Sequence, residues 1–331
     1  MKDETRPRIG VSACLLGSEV RFDGGHARDR YVTDVLSEHV DFVPVCPEME
    51  AGLGAPRPTM RLVRGRAAEG LRVLSSHAAG DAAPTDHTAR LDTAVARRVN
   101  DGSLDDVCGL VLKKNSPSCG PHRVKVYLDN GVTAPSDPES RGVFAAAVHT
   151  RWPHLPIEDE GRLNDPGLRE SFLLRVFAWH RYRALRAGEL TRRALREFHA
   201  RHKMLLHAHE PHATRGLGRL VSNVDNSPEA VVHDADLYAA EMMRILSKPA
   251  SRGRHVDTLQ HLAGHLGGAL PPAARTELQS LVEEYRKGWI ALETPLTLLR
   301  HHLRALGTDW SNTQLYLDPH PRALGLRSVV R

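Results

Sequence analysis

The chain has 331 residues, 41% of them hydrophobic and 26% charged, which allows two domains with full cores and excludes a disordered chain. No apolar run approaches the roughly 20 residues that cross a bilayer. The polar N-terminus MKDETRPRIG is no signal peptide, so a cytosolic protein is expected. Charge is uneven: Pro166 to Arg331 carries 24 Lys and Arg against 16 Asp and Glu, whereas Met1 to Asp165 carries 21 against 24. A basic back half fits either a polyanionic partner or a solvated Arg-rich helical surface.

In chain order, RIGVSACLL and VDFVPVCP read as buried strands that each deliver a cysteine at or near the C-terminal end. HTARLDTAVARRVND follows with Leu91, Ala94, Val95 and Val99 at helical spacing. DVCGLVLKK is a third apolar strand, running at once into NSPSCG. Strand–helix–strand alternation predicts an α/β N-terminal domain with a mainly parallel sheet. Sites in such sheets gather beyond the C-terminal strand ends, which would bring three loops together.

From about Asp165 the pattern becomes helical. Asp165 is a candidate N-cap before Pro166, and Leu168, Phe172, Val176 and Trp179 mark one amphipathic face. Thr191 is a candidate cap for TRRALREFHARHKMLLHAHE. Further helices are predicted in ADLYAAEMMRILS, RHVDTLQHLAGHLGG, PAARTELQSLVEEYRKG and TPLTLLRHHLRALG. The division expected is therefore 1–164, the α/β domain, and 165–331, an all-α C-terminal domain.

Four cysteines are too few for a disulfide scaffold. Cys14, Cys46 and Cys119 lie in turn-forming sequence, whereas Cys108 sits inside DVCGLVL as an ordinary core thiol. Three loop cysteines at strand ends suit a zinc site, a redox site or an iron–sulfur site, and also suit three functionless thiols. Zinc sites usually draw on close C-x-x-C pairs, which are absent from the sequence. A cluster held by three thiolates would leave one iron open. No Walker A string or G-x-G-x-x-G fingerprint occurs, which argues against a nucleotide cofactor.

The strings V-S-A-C-L-L-G, C-P-E…G-L-x-x-P-R and K-x-x-S-P-S-C-G together resemble the thiouracil desulfidase family over roughly residues 8–160. F-H-A-R-H-K-M-L-L-H-A-H, L-G-R-L-V, L-Q-H-L-A-G-H-L and P-L-T-L-L-R-H-H-L resemble a second domain often fused to it. Fusions of this kind look like tRNA 4-thiouridine desulfidases. The resemblance implies a 4Fe-4S cluster held by Cys14, Cys46 and Cys119, which would be both the metal ligands and the cofactor-binding residues. It implies Glu48 as catalytic acid/base and Ser116 as active-site serine. Relatives often carry a further cysteine in a C-R-Y-D string; here V-R-F-D places Val20 there, which removes a fourth thiolate and favours an open iron. Such an iron would accept the sulfur while a carboxylate manages the proton of the attacking water.

Ser118 is expected to support the SPSCG turn, Glu50 to face solvent or pair with Arg57, and Asp23 to contact substrate or hold a Gly-rich turn. Lys113 and Lys114 suit either a phosphate or a solvated strand end. The partner implied is tRNA containing 4-thiouridine. His202, Lys203, Arg215 and Arg219 are expected on its RNA-binding face, because they fall in the second domain's motif. Trp179 and Tyr182 would stack on bases or pack on the neighbouring domain. His261 and His265 stand at i and i+4 in H-L-A-G-H without the glutamate of a zinc-protease helix, and are expected as surface or packing histidines. Two competing readings are a desulfidase of free thiolated nucleobases and a non-catalytic RNA-binding protein with a structural metal.

Overall fold

A computed structural model describes residues 6–65, 70–76, 83–225 and 227–330. It divides the chain into two compact units, Met1–Asp165 and Pro166–Arg331.

The first unit is built on a four-stranded sheet in the order β2-β1-β5-β7, with β1 at Arg8–Ser12, β2 at Asp41–Val45, β5 at Val107–Leu112 and β7 at Ile157–Asp159. All three pairings are parallel, as βαβ connections require, and β1 meets β2 in the register Arg8↔Asp41 to Ser12↔Val45. All six residues of β5 are buried, which is why its sequence is an unbroken apolar run rather than an alternation. Cys108 lies there at 1% exposure, a core thiol.

A second, smaller sheet was not foreseen. It has the order β4-β3-β6, with β3 at Met60–Arg64, β4 at Leu71–Ser75 and β6 at Val126–Leu128. β3 pairs antiparallel with β4 and parallel with β6. Leu62, Val73 and Val126 bury their side chains with Leu91 of a helix, α2, at Thr88–Asn100. The short helix α1 occupies Pro47–Glu50 and α3 occupies Val143–Arg151.

The second unit is helical: α4 (Pro166–Ala187), α5 (Arg192–His209), α6 (Pro211–Asn223), α7 (Pro228–Ser247), α8 (Arg252–Gly264), α9 (Pro272–Lys287), α10 (Glu293–Leu306) and α11 (Asp309–Asn312). Thr191 caps α5, its hydroxyl accepting from the Ala194 amide at 3.1 Å. α6 follows α5 at once, with Pro211 in its first turn where a missing N–H costs nothing. One core joins all the long helices, from Leu174 through Tyr238 and Leu259 to Tyr316. No helix among the described residues is long and apolar enough to cross a membrane.

Two expectations for this unit are corrected by burial. Tyr182 is buried and donates to the carbonyl of Ala235 at 3.0 Å, so it packs internally, with Trp179 5.3 Å away between ring centroids. His202 is only 1% exposed: its ring lies on Phe198 at 3.9 Å, and its Nδ1 is 2.8 Å from the Phe198 carbonyl. A ring enclosed in this way has no surface to offer RNA. Lys203, Arg215 and Arg219 are exposed.

Candidate active site

The cysteine loops leave three adjacent parallel strands. Cys14 is in the short turn Ala13–Leu16 directly after β1. Cys46 directly follows β2 and takes the N-cap position of α1, whose Pro47 fits the first helical position. Cys119 lies in the loop that follows β5. All three line one cavity of about 340 Å³, together with Glu48, Ser116 and Arg57. Thus the structure brings together the five residues expected at the site's centre. Among the described residues, no three Cys, His, Asp or Glu side chains converge tightly enough to hold a single metal ion.

Glu48 is 8% exposed and sits at the centre of a polar network. Ser118, fully buried, donates its hydroxyl to Glu48 Oε1, and Ser116 Oγ lies 3.4 Å from the same oxygen. The two serine hydroxyls are 3.0 Å apart. Cys46 Sγ lies 3.6 Å from Glu48 Oε2, and Arg57 Nη2 is 4.0 Å from Oε1. Ser116 Oγ also accepts the Cys119 amide at 3.1 Å, so one hydroxyl fixes the cysteine loop and touches the carboxylate. Asn115, in the left-handed region at φ 61°, turns the chain between Lys114 and this serine.

Two of these residues were underweighted in the sequence. Ser118 does support its turn, but it also holds the carboxylate. Arg57 belongs to the quoted G-L-x-x-P-R string, yet it lies beside Glu48, whereas Glu50 accepts the Cys46 amide and faces Arg98 at 3.8 Å. Arg57 is fixed by the carbonyls of Val20 at 2.9 Å and Gly54 at 2.6 Å. Asp23 accepts from the Gly25 amide at 3.1 Å and pairs with Arg21, the turn-holding alternative. Lys113 reaches the cavity wall and is neutralised by Glu160.

The helix α3 holds the cysteine loop by its backbone. Its first amides have no side-chain cap; instead Val143 N donates to Pro117 O at 3.1 Å and Phe144 N to Ser118 O at 2.9 Å. Gly142 N donates to Gly120 O at 2.8 Å. A Cβ at Gly142 would lie 2.5 Å from the Ser118 carbonyl, so only glycine allows this approach.

Electrostatically, burial and the neighbouring carboxylate favour neutral thiols and outweigh the opposing charges of Arg57 on Cys46 and Lys113 on Cys14. Burial, then the Glu48 carboxylate, pushes Cys46 up to about 12 and raises Cys14. The same two causes raise Cys119 far above the ordinary thiol value.

Comparison with known proteins identifies both parts of the chain. The 2-thiouracil desulfurase family model matches residues 9–160, and a domain described as a protein of unknown function, DUF1722, matches residues 203–321. The chain joins a 2-thiouracil desulfurase-like domain to a DUF1722 domain. It is 30% identical over 158 residues to the uncharacterized protein YbgA of Escherichia coli K12, covering 48% of this chain and 93% of YbgA. Over 157 residues it is 28% identical to the uncharacterized protein YbbK of Bacillus subtilis 168, covering 47% of this chain and 98% of YbbK. A solved [4Fe-4S]-dependent thiouracil desulfidase, TudS, is 26% identical and covers 48% of this chain and 95% of its own, with a TM-score of 0.36. The cavity of the desulfurase-like domain therefore contains all three loop cysteines, Glu48 and Ser116.

Proposed function

We propose that this protein is a 4Fe-4S-dependent desulfidase that converts 4-thiouridine in tRNA to uridine. The observation that carries the reading is the meeting of three cysteines, a buried carboxylate and two serine hydroxyls at one cavity. The donor set fits the group. Three soft thiols line the cavity, the donor type by which an iron–sulfur cluster would be held. Their raised pKa values mean that they become thiolates by releasing protons when positive charge arrives. When bound through Cys14, Cys46 and Cys119, the cluster supplies an open, soft iron that attracts a thiocarbonyl sulfur.

The chain's own residues account for the protons. Exchange of C=S for C=O adds water to the ring carbon and releases hydrosulfide, with no net oxidation or reduction. Glu48 takes a proton from the attacking water at its carboxylate and returns it as the sulfur departs. Ser116, held on Glu48 and on the Cys119 amide, relays that proton or holds the base edge. Ser118 and Arg57 fix the carboxylate in place. Support for tRNA as carrier of the base comes from the basic second unit, with exposed Lys203, Arg215 and Arg219. The second reading, a desulfidase of free thiolated bases, draws on the family's name and on a cavity of about 340 Å³, ample for a single base.

Anaerobic reconstitution tests the assignment. Cys14→Ser, Cys46→Ser and Cys119→Ser each lower bound iron and sulfide, whereas Cys108→Ser does not. Glu48→Gln keeps its iron and slows the loss of the 4-thiouridine near-ultraviolet band by about 100-fold or more. Thiouracil turned over while thiolated tRNA stays intact would favour the free-base reading. An iron-free protein after reconstitution would sink both.

A further inference from the structure

The second unit carries a row of rings on its surface. His207 of α5 lies 5.9 Å from His261 of α8, His261 lies 5.5 Å from His265 at the end of that helix, and His265 lies 4.6 Å from Trp310 of α11. Lys203 of α5 sits over the Trp310 ring, its Nζ 5.9 Å from the centroid. His261, His265 and Lys203 are exposed, and His207 and Trp310 are half-buried. The rings come from three helices distant in sequence, and in none of the four ring–ring and cation–ring contacts do the partners belong to consecutive residues.

We infer that this row is a stacking platform for successive unpaired nucleotides of an RNA, with Lys203 and Arg215 on the phosphates. The carrier of specificity for this class of partner is the alternation of flat faces with cations. Bases stack on aromatic and imidazole faces regardless of sequence, while the backbone needs positive charge beside them. Partial desolvation in the row, and then the neighbouring imidazole, hold His207 and His261 below their ordinary pKa, so at neutral pH they offer uncharged rings. Arg215 packs its guanidinium 2.7 Å from His212 Nδ1, and its charge, with that of Lys203, acts on His207. The acidic neighbours are Asp257, whose charge also acts on His207, and Asp309, next to Trp310. The histidines do not form a metal site: among the described residues no such group of ligands exists. The row deepens the proposed RNA substrate by naming what part of it is gripped, and it rests on that reading for the identity of the RNA.

The test uses the full chain and two fluorescent probes of equal length, an unstructured oligouridine RNA and its abasic ribose-phosphate counterpart. Trp310→Ala and His261→Ala are expected to weaken the base-bearing probe about tenfold while changing the abasic probe by less than about twofold. Trp310→Phe, which keeps a flat face, should retain most of the affinity. Lys203→Gln should weaken both probes and lower the salt slope by about 0.7. Equal loss on both probes, or no loss on either, would overturn the platform. Base-dependent loss of binding together with a wild-type protein that never desulfurises tRNA would leave the platform standing and remove only the enzymatic reading.

Discussion

Ser118 decides the character of the site at the residue scale. A carboxylate at 8% exposure is costly unless its lone pairs are occupied, and Ser118 occupies one from a fully buried position. Ser118→Ala should therefore cost about 1–3 kcal/mol of stability and lower desulfidation about tenfold, with iron content unchanged. Wild-type activity in that variant, measured on reconstituted enzyme, would remove Ser118 from the site. Cys14, Cys46 and Cys119 were legible as loop residues at strand ends, whereas the roles expected of them, of Glu48 and of Ser116 came from the family resemblance. Ser118 was legible only as a turn residue. Its second role depends on a partner 70 positions away, which no local pattern encodes. His202 shows the converse: its motif suggested an exposed cation, but helical phase turns it inward onto Phe198.

Among the elements, α3 acts as a clamp through backbone alone. Its open N-terminal amides replace a cap with the carbonyls of the cysteine loop, and Gly142 permits the contact. Gly142→Ala should destabilise the protein by about 1–3 kcal/mol, read as a lower urea midpoint, and should reduce iron retained after reconstitution. An unchanged midpoint would show that the loop relaxes without cost. β1 and β5 could be read from sequence because burial on two faces leaves continuous apolar runs, and β2 because Val43 and Val45 alternate inward around an exposed Pro44. The sheet of β3, β4 and β6 could not, because Arg61, Arg64 and Arg72 interrupt the apolar signal and the three-residue β6 forms only by pairing with β3, far away in sequence. α6 is hard to see in the sequence because Gly216 and Gly218 have low helix propensity, although both lie within the helix that Pro211 opens.

For the whole molecule, the change from apolar strand runs to helical periodicity near Asp165 was visible in composition, while the helical core was not. That core encloses histidines in neutral form. Burial lowers His202 to about 3 and His199 and His320 to about 4. Unfolded imidazoles titrate near 6.5, so between about pH 4 and 6.5 the unfolded chain binds more protons than the folded one. Stability is thus fully present above about pH 6.5 and falls on acidification, by about 1.4 kcal/mol per pH unit for each such histidine. Denaturant midpoints at pH 7.5 and 5 should differ accordingly, and His202→Gln should flatten the difference. A midpoint independent of pH would mean that the rings are solvated.

The parallel order β2-β1-β5 has a consequence for how the site can vary. Each cysteine follows its own strand, so the loops that carry the three sulfurs leave the sheet in steps of the interstrand distance, about 4.8 Å. A hydrogen-bonded sheet makes that spacing a ruler. Loops beyond it can differ in length and composition while the points from which they leave stay fixed. A further strand between β2 and β5 would move two of those points a full step apart.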